Sequence, residues 1–179
     1  MDTKLFVVAG NSFKNKAWME GVVKAMEPHF SSVSYHLYEH WNTGAPILDF
    51  KKEADMFSVL IGGEKNFFIF AKSAGVTVAL EAIRSRSVSP RGCIFVGTPV
   101  YWAKENDIDI EGLLKNFSFP VLFVQHTNDP AISSDDLKEF LMKDGVRGFK
   151  FVAPQGDSHD YLETEMLVDL TKSFVKETK

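Results

Sequence analysis

Ser73 sits in Ala71-Lys72-Ser73-Ala74-Gly75, after the apolar run Phe67 to Phe70 and before a helical pattern. A strand that turns sharply into a helix pushes such a serine hydroxyl out above a sheet, where it can act as a nucleophile. Complementary chemistry follows two later apolar runs. Gln125-His126-Thr127-Asn128-Asp129-Pro130 comes after Val121 to Val124, and Pro154-Gln155-Gly156-Asp157-Ser158-His159-Asp160 comes after Phe149 to Val152. Loops beyond the carboxyl ends of neighbouring parallel strands converge in space. Ser73, Asp129 and His159 are therefore candidates for nucleophile, orienting acid and base. His126 is the rival base, and Asp135, Asp136 and Asp157 are the rival acids. Each residue also has a plainer reading. Ser73 can cap a helix, Asp129 before Pro130 is ordinary turn chemistry, and His159 between two acids can be a surface histidine.

The elements that must position these residues alternate along the chain. Strands are expected at Leu5 to Ala9, Val33 to Leu37, Phe67 to Phe70, Cys93 to Val96, Val121 to Val124 and Phe149 to Val152. Helical faces are carried by Trp18, Val22 and Met26, and by Phe50, Ala54, Phe57 and Ile61 with Asp49 as N-cap and Gly62-Gly63 as stop. Further helices follow Ser73, include Leu137, Phe140 and Leu141, and close the chain along Leu162, Met166, Leu170 and Phe174. Short apolar strands separated by helices predict a doubly wound α/β sandwich of three layers, with a mainly parallel sheet of about six strands. No repeat or linker divides the chain, so one domain over residues 1–179 is expected. Thr98 to Asn116 is the irregular stretch. It is either a small lid or a crossover helix whose acidic first turn suits the helix dipole.

Composition narrows the function classes. The chain has 179 residues and a net charge of −4, which gives no reason to expect nucleic acid or an anionic membrane as partner. A small-molecule partner is expected, and the oligomeric state is open. The single cysteine, Cys93, lies in an apolar strand; it cannot form an internal disulfide or build a Cys-rich zinc site. His36 and His40 have a helical metal-pair spacing in a run that reads as a strand, so no metal site is expected there. No signal peptide or membrane-spanning run is legible, and the expected location is the cytoplasm.

The chain resembles the α/β-hydrolase family, as a minimal member close to the small serine hydrolases. Ala71-Lys72-Ser73-Ala74-Gly75 resembles the nucleophile elbow, with Ala71 in place of its first glycine. Val121 to Pro130 is similar to the strand and turn that deliver the acid, and Gly156-Asp157-Ser158-His159 to the histidine loop. The order Ser, Asp, His is also the family's. The resemblance spans nearly the whole chain. It implies a Ser73–His159–Asp129 triad that cleaves a carboxylic ester, thioester or amide through an acyl-enzyme. The backbone N–H groups of Asn11 and Ala74 would form the oxyanion hole. Tyr101 and Trp102 would line the acyl or leaving-group pocket, and no cofactor is implied. Lys72, just before the nucleophile, reads as a snorkelling lysine or as a charge at the mouth of the site.

Two other classes compete with this one. The same fold can serve as a catalytically inactive binding or scaffold module. Gly10-Asn11-Ser12 after the first strand can also cradle a phosphate in a flavodoxin-like sheet. The chain has no Gly-x-Gly-x-x-Gly and no Walker sequence to support that nucleotide reading.

Overall fold

The computed structural model describes residues 2–85, 88–115 and 117–178. Six strands form one parallel sheet: β1 (Lys4–Val8), β2 (Ser32–Tyr35), β3 (Phe67–Lys72), β4 (Gly92–Val96), β5 (Val121–Val124) and β6 (Lys150–Val152), in the order β2-β1-β3-β4-β5-β6. The chain starts at β1, steps to the β2 edge, returns to β3 beside β1 and then moves steadily to β6. That reversal makes a topological switch point between β1 and β3, where a crevice opens beyond the strand ends. Ala9-Gly10-Asn11 follows the first of those strands and Ser73 the second.

Both faces of the sheet are covered, so the central strands are apolar throughout. Alternation divides their side chains. Phe67, Ile69 and Ala71 of β3 enter one core cluster and Phe68 and Phe70 the other, all fully buried. Each such phenylalanine contributes roughly 1.5–3 kcal/mol of transfer free energy. Lys72 follows on the Phe68 and Phe70 face by the same parity. That face is closed by α1 (Lys14–Met26) and α8 (Thr164–Glu177). The opposite face carries α3 (Phe50–Ile61) and α4 (Ala74–Arg84), which pack on each other. The short α2 (His40–Thr43) lies between β2 and α3. Asp49 caps α3 as expected, its carboxylate accepting from the Lys52 N–H at 3.2 Å.

The stretch after β4 folds as two short helices, α5 (Val100–Glu105) and α6 (Ile110–Leu114). Ile108, Ile110, Leu113 and Leu114 are buried in the core beside α4, and the Asp109 carboxylate caps α6 through the Gly112 N–H. Asn116, where the expected lid ends, lies outside the described residues. Then α7 (Ser134–Lys143) is capped by Ser133. The last helix departs from expectation. It starts at Thr164, and its buried stripe is Leu167, Val168, Thr171, Phe174 and Val175. Leu162 is 74% exposed on the loop before it, because the chain turns through a positive φ at Tyr161 and does not become helical until Thr164. Met166 and Leu170 only flank the core.

Candidate active site

Ser73 sits at the junction of β3 and α4 with φ 54° and ψ −129°, a strained conformation for a residue with a side chain. Such a conformation costs on the order of 1–3 kcal/mol and persists only where its surroundings fix it. Here the Ser73 N–H donates to the Val96 carbonyl at 2.9 Å. Gly75 makes the turn possible. A Cβ there would stand 2.5 Å from the Val8 carbonyl oxygen, so only glycine lets α4 start against the end of β1. Gly10 serves the opposite wall, since a Cβ on it would come within 3.0 Å of the Ser73 Cβ. Ala71, the small residue two positions before Ser73, is fully buried in the core.

The structure brings Ser73, His159 and Asp129 into one row. His159 Nε2 lies 2.8 Å from Ser73 Oγ, and Nδ1 lies 2.9 Å from both Asp129 oxygens. An Nδ1–H donated to the carboxylate leaves Nε2 as the acceptor facing the serine hydroxyl. Asp129 is buried, and it also accepts from the Ala131 N–H at 2.8 Å and from the Tyr161 hydroxyl at 2.6 Å. Burial, and then Asp129 beside it, hold the Tyr161 phenol well above its ordinary range, so it stays a donor. The Tyr161 oxygen in turn accepts from the His126 N–H at 2.9 Å.

His126, the rival base, has a different task. Its ring stacks on Tyr161 with centroids 4.1 Å apart, and its Nδ1 meets the Ser158 carbonyl at 2.8 Å. It faces the histidine loop and does not touch Ser73. Of the rival acids, Asp135 and Asp136 lie exposed in the first turn of α7, and Asp157 is exposed on its loop. Sequence reasoning missed Tyr161, although an aromatic two residues beyond His159 was a weak signal of something buried there.

Asn11 lies across the crevice, and its peptide is pinned from behind. Its carbonyl accepts from His40 Nε2 and from Trp41 Nε1, both at 2.8 Å. Its side chain accepts from the Leu48 N–H at 2.9 Å and donates to the Pro46 carbonyl at 3.0 Å. The Tyr38 hydroxyl holds the Ala9 carbonyl at 2.6 Å. Among the described residues, neither the Asn11 nor the Ala74 backbone N–H has a hydrogen-bond acceptor. Behind this wall, His36 Nε2 meets the buried Glu53 carboxylate at 2.6 Å. His36 and His40 thus point to different partners, and no cluster of metal-ligating side chains occurs among the described residues. Burial pushes the Cys93 thiol well above its usual range, which makes it inert.

A cleft of about 450 Å³ opens over the row and reaches toward α1. Asn11, Ser73, His159, Trp18 and Trp102 all border it. Tyr101, expected beside Trp102, does not; it stands half exposed, because consecutive residues of α5 point in different directions. Lys72 does border the cleft but is neither solvated nor snorkelling. It is only 3% exposed, its ammonium 2.7 Å from Asn15 Oδ1 and 5.0 Å above the Trp18 ring. Burial lowers its pKa to about 8, against the opposing influence of Asp160 and Asp129.

No protein-family model matches the chain, and no curated protein matches it. Solved structures do. A lipase-esterase related protein from Clostridium acetobutylicum has a TM-score of 0.75 at 14% identity, covering 96% of this chain and 94% of that one. Est1E from Butyrivibrio proteoclasticus, solved with ferulic acid bound, scores 0.72 at 14% identity over 98% of this chain and 89% of its own. The RedJ thioesterase of the prodiginine biosynthetic pathway in Streptomyces coelicolor scores 0.69 at 12% identity over 96% and 85%. The likeness runs through the whole parallel sheet and its flanking helices, and no described helix is long and apolar enough to cross a membrane. At this identity the comparison speaks to architecture, and with the switch point and the strand order it makes the chain an example of the α/β-hydrolase fold.

Proposed function

We propose that this protein is a serine hydrolase that cleaves a carboxylic ester through an acyl-enzyme on Ser73. The observation that carries the reading is the unbroken hydrogen-bonded row from Ser73 Oγ through His159 to Asp129, set at the edge of an open cleft. That esterases and a thioesterase share the fold supports it.

The chemistry follows from the contacts. A serine hydroxyl is a weak nucleophile until a base takes its proton. As Ser73 Oγ bonds to the substrate carbonyl carbon, its proton passes to His159 Nε2. The carbonyl electrons move onto oxygen, and the oxyanion lies against the Asn11 and Ala74 N–H groups. Losing one such donor typically costs on the order of 3 kcal/mol of transition-state stabilisation. The imidazolium is steadied by Asp129, which remains ionised. It then protonates the departing alkoxide as the carbon–oxygen bond breaks. Water, deprotonated by the same nitrogen, attacks the acyl-enzyme and releases the acid and Ser73.

Fluorophosphonate labelling is the test. The wild-type chain is expected to label, with the adduct on Ser73 by peptide mass, and Ser73→Ala to lose it. A folded wild type that stays unlabelled would overturn this reading in favour of an inactive binding module.

A further inference from the structure

Among the lining groups of the cleft, Lys72 is the one whose position the reaction does not explain. A buried ammonium is costly unless paired, and a lysine has three N–H donors. Asn15 Oδ1 takes one, and the Trp18 ring faces the charge. No carboxylate comes within ion-pair distance of the ammonium among the described residues. Lys72 lines the cleft together with Ser73.

The surroundings reinforce the positive sign. Lys14 borders the same cleft from the first turn of α1, a turn that contains no acidic residue. Ser12 and Asn15 line it beside Lys14, so the positive end of the 13-residue helix lies at this wall. Asp160 is the opposing charge; it borders the cleft from the histidine loop and is exposed to water. Asp129 also acts on Lys72, but its oxygens are already engaged by His159, Tyr161 and the Ala131 N–H, and Asp160 is hydrated, so two lysines and a helix terminus leave the α1 side of the cleft attractive to an anion. Trp18 and Trp102 add apolar surface to the same cleft.

We propose that Lys72 reads a carboxylate on the substrate, so that this cleft takes short acyl esters whose acyl chain ends in an anionic group. The proposal rests on the serine-hydrolase reading for the bond that is cleaved. The anion itself needs only the cleft. Lys72 is the immediate neighbour of Ser73, which limits the acyl chain to a few carbons between the scissile carbonyl and the carboxylate.

Methyl hemiglutarate and the neutral methyl pentanoate form a matched pair for pH-stat assays at pH 7. Wild type is expected to favour the hemiester in kcat/KM by about ten-fold or more, the worth of a hydrogen-bonded charge. Lys72→Met should bring the ratio to about one, and Lys72→Arg should retain part of it. In parallel, glutarate is titrated by calorimetry into Ser73→Ala, with and without Lys72→Met. Binding that the second substitution abolishes supports the site. A wild type that labels with fluorophosphonate but shows no preference for the hemiester, and a Ser73→Ala protein that binds no glutarate, would overturn the proposal and leave the hydrolase reading standing. Glutarate binding lost with Lys72→Met in a protein that never labels would uphold the anion site and overturn the hydrolase reading instead. The wild-type comparison holds even if Lys72→Met fails to fold.

Discussion

The two walls of the crevice are built by different means. On the β5 and β6 side, a buried carboxylate is surrounded by donors: the His159 ring, the Tyr161 hydroxyl and the Ala131 N–H all meet Asp129. On the β1 side, the group that is held is an uncharged peptide. Two ring N–H groups, from His40 and Trp41, grip the Asn11 carbonyl from behind. In the proposed mechanism the first wall holds a side chain whose proton moves, and the second holds a peptide whose N–H must stay still. Hydrogen bonds to a charged group are worth about 1.5–3 kcal/mol, and neutral ones about 0.5–1.5. Substitutions in the first wall should therefore cost more than those in the second.

The largest effect is expected from Asp129→Asn. One oxygen of Asp129 faces Tyr161 O–H and the other faces Ala131 N–H, while both face His159. An amide NH₂ in either place points a donor at a donor and disfavours the tautomer that His159 needs. In the proposed mechanism kcat should fall by roughly 10⁴-fold. Steady-state kinetics on whichever ester the wild type hydrolyses would check this, with circular dichroism to show that the fold persists. A loss of only a few-fold would mean that the carboxylate wall does not govern proton transfer.

This wall was also the more legible of the two in the sequence. Ser73, Asp129 and His159 stand out because each follows an apolar run, and the six strands are recognisable because a doubly covered parallel sheet needs unbroken apolar segments. In the proposed mechanism the opposite wall works through a backbone group, which leaves no residue-type signature. Nothing in the residue types of His40 and Trp41 signals this task, and that they converge on one carbonyl depends on the turn after β2. Burial of Lys72 was hidden for a similar reason. Strand parity places it on the α1 face, but only the approach of Asn15 and Trp18 covers it. The face of α8 was misjudged because Leu162 has the right spacing and the wrong backbone; the chain does not turn helical until Thr164.

Tyr161→Phe tests the first wall more gently. The ring and its stacking on His126 remain, while Asp129 loses one donor and the His126 N–H loses its acceptor. A fall in kcat of about 10- to 100-fold is expected, from the worth of a hydrogen bond to a charged group. KM should stay unchanged, because Tyr161 does not border the cleft. A rise in KM with kcat intact would assign Tyr161 to cleft shape and not to the carboxylate.

Trp41→Phe is the matching change in the second wall. It removes one of the two ring donors to the Asn11 carbonyl and keeps most of the apolar ring against Tyr38. The loss in kcat should be about ten-fold or less, equivalent to about 1.4 kcal/mol or less. If this substitution costs as much as Tyr161→Phe, the two walls are energetically alike and the contrast between them fails.

The smallest effect concerns Lys72, which lies near both walls and belongs to neither hydrogen-bond set. Its pKa is lowered by burial from 10.5 to about 8 in the folded chain. Between those two values the unfolded chain binds more protons than the folded one, so stability must rise with pH across that window. Below about pH 8 the full cost of the buried ammonium is present, and it disappears as the pH passes the ordinary lysine range. From pH 7 to 9 the gain should be about 1 kcal/mol. Chemical denaturation of wild type and Lys72→Met at both pH values isolates it, since other titrating groups contribute equally to the two proteins. The variant should be the more stable at pH 7 and lack this part of the rise. A difference between the two proteins that does not change with pH would mean that the lysine keeps its ordinary affinity for the proton. Water or Asp160 would then be offsetting the burial that the cleft imposes.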